Sequence, residues 1–101
     1  MNFNADADDF TIGVIGAGAM GQGIVQVSLQ GGMQVLLFDA SEEGALAGRD
    51  LIFQRLDRSV DKGRLELGAV NQMKNNLTLV DSIAAFKSCN VVVEAVFEDL
   101  E

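Results

Sequence analysis

The feature that most constrains this chain is a run of three glycines set between an apolar stretch and a helical one. Thr11-Ile-Gly-Val-Ile15 is a short apolar run that reads as a buried strand. Gly16-Ala-Gly18-Ala-Met-Gly21 follows at once and opens a helix over Met20–Gln30, which Gly31 and Gly32 end. Met20, Ile24 and Val27 share one face of that helix, with Val25 and Leu29 beside it, so their side chains are expected in the core. Gln34–Phe38 is a second buried strand, and it closes on Asp39.

Strand, glycine turn, helix, strand and acid at these separations match a βαβ unit that holds a dinucleotide, and each residue type has a physical reason. Gly16 permits the tight turn out of the strand, and Gly18, with no Cβ, lets the backbone approach a pyrophosphate. Gly21 allows the helix to pack closely. No Ser, Thr, Asp or Asn caps this helix, which leaves its first N–H groups free for an anion. Asp39 can accept hydrogen bonds from ribose hydroxyls and would repel a 2′-phosphate. Ala40 and Ser41 follow it and offer no arginine, so NAD is favoured over NADP. A tight turn without ligand, a helix-capping role for Asp39, and FAD in place of NAD are the alternatives.

The rest of the chain continues the alternation. Ser41 is a candidate N-cap, with Glu42 and Glu43 in the first turn where the helix dipole favours carboxylates. Leu46, Ile52, Phe53, Leu56 and Val60 then recur at near-helical spacing up to Gly63, and Glu66–Asn75 forms another helical stretch. Leu77–Val80 is a third strand, Asp81 is expected to cap a short helix through Phe86, and Val91–Val93 is a fourth strand. The expected fold class is α/β: a Rossmann-type parallel sheet, partial, in the order 3-2-1-4, with right-handed crossovers. A long helical insertion lies between strands 2 and 3, over residues 40–76, and is expected to project beyond the sheet. Residues 1–9 form an acidic tail, and residues 10–101 read as the N-terminal part of a dinucleotide-binding domain. The chain stops at Glu101, inside what reads as the start of another helix, so it is expected to be truncated.

Composition narrows the chemistry. Among 101 residues there is no His, Tyr or Trp and a single cysteine, Cys89. A Ser-His-Asp triad and a Tyr-Lys relay are therefore impossible, and a zinc site is close to excluded. Lys62, Lys74 and Lys87 sit among polar residues and keep their charge, so no general base is evident. The net charge of −8 argues against nonspecific nucleic-acid binding, and no apolar run approaches membrane-spanning length. With no second cysteine to pair, Cys89 reads as a small apolar residue, and a reducing cytoplasm fits best.

Three segments carry a resemblance to a known family. Ile12-Gly-Val-Ile-Gly-Ala-Gly-Ala-Met-Gly-Gln-Gly-Ile24, Arg55-Leu-Asp-Arg-Ser-Val-Asp-Lys-Gly-Arg-Leu65 and Val91-Val-Val-Glu-Ala-Val-Phe-Glu-Asp-Leu100 resemble the N-terminal domain of 3-hydroxyacyl-CoA dehydrogenases. The 3-hydroxybutyryl-CoA and 3-hydroxyadipyl-CoA enzymes belong to this group. The resemblance implies oxidation of a 3-hydroxyacyl-CoA to the 3-ketoacyl-CoA with hydride transfer to NAD. It implies that Gly16, Ala17, Gly18, Ala19, Met20 and Gly21 hold the pyrophosphate, that Asp39 holds the adenosine ribose, and that Glu98 contacts the nicotinamide-side ribose. It also matches Arg55 and Lys62 to positions that contact coenzyme A, whereas a solvated face is the first reading for Arg58. The family's catalytic His-Glu pair and its dimerisation domain would lie beyond Glu101, so this chain is expected to bind cofactor without catalysis. The intact protein is expected to be a homo-oligomer acting on a 3-hydroxyacyl-CoA, with no nucleic-acid or membrane partner. Another β-hydroxyacid dehydrogenase and a non-catalytic nucleotide-binding Rossmann module are the competing readings.

Overall fold

A computed structural model describes residues 10–95; the acidic tail and Glu98 lie outside them. Four parallel strands form one sheet in the order β3-β2-β1-β4. They are β1 (Thr11–Ile15), β2 (Gln34–Phe38), β3 (Leu77–Leu79) and β4 (Val91–Glu94). Gly13 of β1 pairs with Leu36 on one side and Val92 on the other, which fixes the register across the sheet.

Side chains alternate along each strand, so the two faces of the sheet differ. Ile12, Val14, Val35 and Leu37 point to one face, where they join Val25 and Leu29 of α1 (Ala19–Gln30). Ile52 and Leu56 of α2 (Glu42–Asp61) and Val70 and Met73 of α3 (Leu67–Asn75) complete this core. The opposite face of β1 meets Phe86, which lies in a 3₁₀ helix at Ile83–Ser88. Three helices thus cover one face, and a single short turn crosses the other.

The long connection between β2 and β3 does hold two helices. Ser41 caps α2 as expected, its hydroxyl accepting the Gly44 N–H at 3.0 Å. The buried residues of α2 run only from Ala45 to Leu56. Its last turn is half-buried or exposed, yet Val60 there still packs against the core. Asp57 and Lys74 tie α2 to α3 at 2.7 Å, with the Lys74 ammonium 5.3 Å from the Phe53 ring centre.

Two local expectations change. Ser82, not Asp81, caps the turn before β4: its hydroxyl accepts the Ala84 N–H at 3.0 Å, and the helix it starts is 3₁₀. Met20 and Val27 are not core; they are 55% and 69% exposed. Helix α1 carries two apolar stripes, and the sheet takes the one through Gly21, Val25 and Leu29. The reason is the close approach at Gly21, where an added Cβ would overlap the Gly16 carbonyl oxygen. Only a glycine-bearing face can enter that contact, so the stripe through Met20 turns outward.

Candidate functional site

The glycine loop leaves β1 at its carboxyl end, beside the point where the chain order of the sheet reverses between β1 and β4. Gly16 has φ of 108°, which only glycine adopts without strain, and its N–H donates to Phe38 O at 2.7 Å. Gly18 is the N-cap of α1 and makes no side-chain cap. A Cβ placed on Gly18 would meet no atom within 4 Å. Gly21 is closed in by the loop itself, whereas Gly18 opens on empty space. That space could hold a phosphate group, beside a helix end whose first N–H groups no side chain caps.

Around it lies a cleft of about 560 Å³, lined by Ile15, Gly16, Gly18, Ala19, Met20, Phe38, Asp39, Ala40 and Ala95. A second cleft of about 710 Å³ shares Phe38, Asp39 and Ala40 with the first and extends to Leu46, Leu79 and Ala85. Both volumes fall within the range of small-molecule and cofactor sites. Asp39 stands where the two clefts meet.

Asp39 does more than line the site. Its Oδ2 accepts the Ala17 N–H at 2.7 Å and its Oδ1 accepts the Ser41 N–H at 2.8 Å. An ionised carboxylate has about four acceptor sites, so two remain for a ligand. The acid therefore ties the end of β2 to the glycine loop and still faces the cleft. Ala17 is itself buried and is not among the residues lining either cleft.

The structure gathers Gly16, Gly18, Ala19, Met20 and Asp39 around one cleft, with Gly21 buried behind it. Arg55 and Lys62 are not among its lining residues. Arg55 is half-buried on α2 and Lys62 is the exposed C-cap just past its end. Among the described residues the ion pairs are Arg49–Asp50 and Lys74–Asp57, so Arg55 and Lys62 form none there. Glu98 lies outside the described residues. Cys89 is half-buried beneath Gly13, and burial pushes its thiol pKa up.

Three further residues shape the site without having been expected there. Gln22 donates from Nε2 to Ala17 O at 2.9 Å. Gly48 of α2 lies against Ala17 so closely that an added Cβ would come within 2.7 Å of the Ala17 oxygen. Ala95 lines the first cleft, its N–H donating to Ile15 O at 2.8 Å. Gly48 had a legible signal, since glycine inside a long helix costs about 1 kcal/mol against alanine and so needs a packing reason.

With this geometry in place, comparison with known proteins decides the family. The family described as "3-hydroxyacyl-CoA dehydrogenase, NAD binding domain" matches residues 11–101. The chain belongs to this family. Its sequence is 38% identical to the 3-hydroxyadipyl-CoA dehydrogenase of Escherichia coli K12, over 90% of this chain and 19% of that protein. It is 35% identical to the 3-hydroxybutyryl-CoA dehydrogenase of Mycobacterium tuberculosis H37Rv, over 87% of this chain and 31% of that one. The crystal structure of 3-hydroxybutyryl-CoA dehydrogenase from E. coli K12 superposes with a TM-score of 0.85 at 37% identity, covering 90% of this chain and 19% of that one. The chain thus spans a fifth to a third of the length of these relatives. As an NAD-binding domain of the 3-hydroxyacyl-CoA dehydrogenase family, it takes NAD as cofactor, and the open space at Gly18 fits that group.

Proposed function

We propose that this domain holds NAD with the pyrophosphate on Gly16–Gly21 and the adenosine ribose on Asp39. In this reading it is the cofactor-binding part of an enzyme that oxidises a 3-hydroxyacyl-CoA to the 3-ketoacyl-CoA. The observation that carries the reading is the open cradle at Gly18, bounded by an uncapped helix end and the Asp39 carboxylate. Bound NAD supplies the hydride acceptor. The residues of this chain bind and orient it; with no histidine or tyrosine, they offer no base for the substrate hydroxyl.

Arg55 and Lys62 are proposed to meet the phosphates of coenzyme A, an assignment supported by their freedom from ion pairs among the described residues. Glu98 is proposed to contact the nicotinamide-side ribose. The whole protein is proposed to be a homo-oligomer acting in the cytoplasm on 3-hydroxyacyl-CoA, a compartment supported by the lone Cys89. No helix of the described residues is long and apolar enough to cross a membrane.

The test is absorbance of NADH when the full-length protein meets NAD and 3-hydroxybutyryl-CoA or 3-hydroxyadipyl-CoA. Formation of NADH with either is the expected result. A full-length protein that binds NAD and reduces none with any 3-hydroxyacyl-CoA would leave a nucleotide-binding module in place of a dehydrogenase.

A further inference from the structure

We propose that Gln22 is a positioning residue for the pyrophosphate loop, its buried amide setting the peptide plane that aims the Gly18 N–H into the cleft. This deepens the dinucleotide reading above and rests on it. Gln22 lies on the inward side of α1, 7% exposed, and its Nε2 donates to Ala17 O at 2.9 Å. That oxygen belongs to the peptide joining Ala17 to Gly18, and the same plane carries the Gly18 N–H. Every described peptide is trans, and in a trans peptide the C=O and N–H point in opposite directions. Drawing the oxygen inward to Gln22 therefore turns the Gly18 N–H the other way, away from Gln22 and the core.

The preceding peptide is held as well, because the Ala17 N–H donates to Asp39 Oδ2 at 2.7 Å. Ala17 is thereby fastened at its nitrogen by the end of β2 and at its oxygen by α1. With both planes fixed, the loop presents its donors without reorganising when an anion arrives, which is what makes such a donor effective.

Stability alone does not explain a glutamine at this place. Its Oε1 is buried and has no hydrogen-bond partner. A buried orphan acceptor destabilises the fold, which offsets what the bond to Ala17 O contributes. The glutamine gives the loop a donor at one end of its amide and leaves the other end unsatisfied. The two effects have opposite signs, and an experiment can separate them.

Gln22→Met keeps the length of the side chain and removes the amide. ADP, which carries the pyrophosphate, and adenosine, which does not, are titrated into the parent and the variant by NMR, alongside thermal melts. The variant is expected to bind ADP about three- to ten-fold more weakly, the worth of one neutral hydrogen bond. Adenosine affinity is expected to stay within about twofold. Removing the orphan Oε1 offsets the loss of a donor for Ala17 O, so the melting temperature is expected to stay close to that of the parent. Gln22→Asn, one methylene too short to reach Ala17 O, is expected to show the same selective loss. ADP affinity unchanged in Gln22→Met overturns the proposal, and so does an equal loss for ADP and adenosine. A parent chain that binds neither probe overturns the dinucleotide reading itself, a result distinct from either of those.

Discussion

The Asp39 carboxylate accepts the Ala17 N–H at 2.7 Å, so the acid that would select the cofactor also holds the loop that would bind it. Asp39→Ala is therefore expected to have two effects. It should narrow the gap between NADH and NADPH, because the charge that repels a 2′-phosphate is gone. It should also lower stability by about 1–3 kcal/mol, since the buried Ala17 N–H loses its acceptor. Calorimetry with both cofactors and a urea titration read the two effects separately. An unchanged cofactor preference would remove Asp39 from the ribose site.

Gly48 and Gly23 are both helical glycines, and the same substitution is expected to act on them in opposite directions. At Gly23 an added methyl meets nothing within 4 Å, so Gly23→Ala should stabilise by about 0.5–1 kcal/mol through helix propensity. At Gly48 the methyl would come within 2.7 Å of Ala17 O, a backbone atom that two hydrogen bonds at Ala17 hold in place. Gly48→Ala should therefore destabilise by about 1–3 kcal/mol despite the same propensity gain. Urea midpoints of the two variants against the parent decide it.

These contrasts show how much of the molecule could be read from its residues. The bounds of β1 and β2, the Ser41 cap and the strand order were legible, because glycine punctuation and apolar runs are local signals. The inward stripe of α1 was not, because periodicity offers two and only the Gly21–Gly16 contact chooses between them. The same holds for the site. That Gly16, Gly18 and Asp39 share one cleft was legible from spacing, and Gly48 was legible only as a glycine inside a long helix, whereas Gln22 and Ala95 act through contacts that no spacing encodes.

Strand β4 ends the sheet among the described residues, and Val91 and Val92 on it are 43% and 47% exposed. An apolar edge strand without lysine or proline is a template for pairing with another chain. The chain is expected to associate through this edge, and Val92→Lys to prevent it. Light scattering across a dilution series measures both. A parent that stays monomeric at high micromolar concentration contradicts the expectation, as does a variant that associates equally well.

Burial raises the Cys89 thiol above its ordinary value of 9.0, which fixes a direction for its chemistry with pH. The neutral thiol is favoured in the folded state, so its contribution to stability is complete below the unfolded pKa. That contribution is lost as pH rises through the folded one. Iodoacetamide should accordingly label the native protein more slowly than the urea-unfolded chain at the same pH. Equal rates would mean that the thiol is not shielded.

The space before Gly18 is proposed to receive the cofactor pyrophosphate, and a titration of NADH into the parent and Gly18→Val tests this most directly. A Cβ there meets no protein atom within 4 Å, so the variant should melt with the parent. Its side chain would fill the cleft, so NADH binding should be seen in the parent and lost in the variant. A folded Gly18→Val that binds NADH as tightly as the parent would contradict the account, reducing the glycine loop to a turn between a strand and a helix.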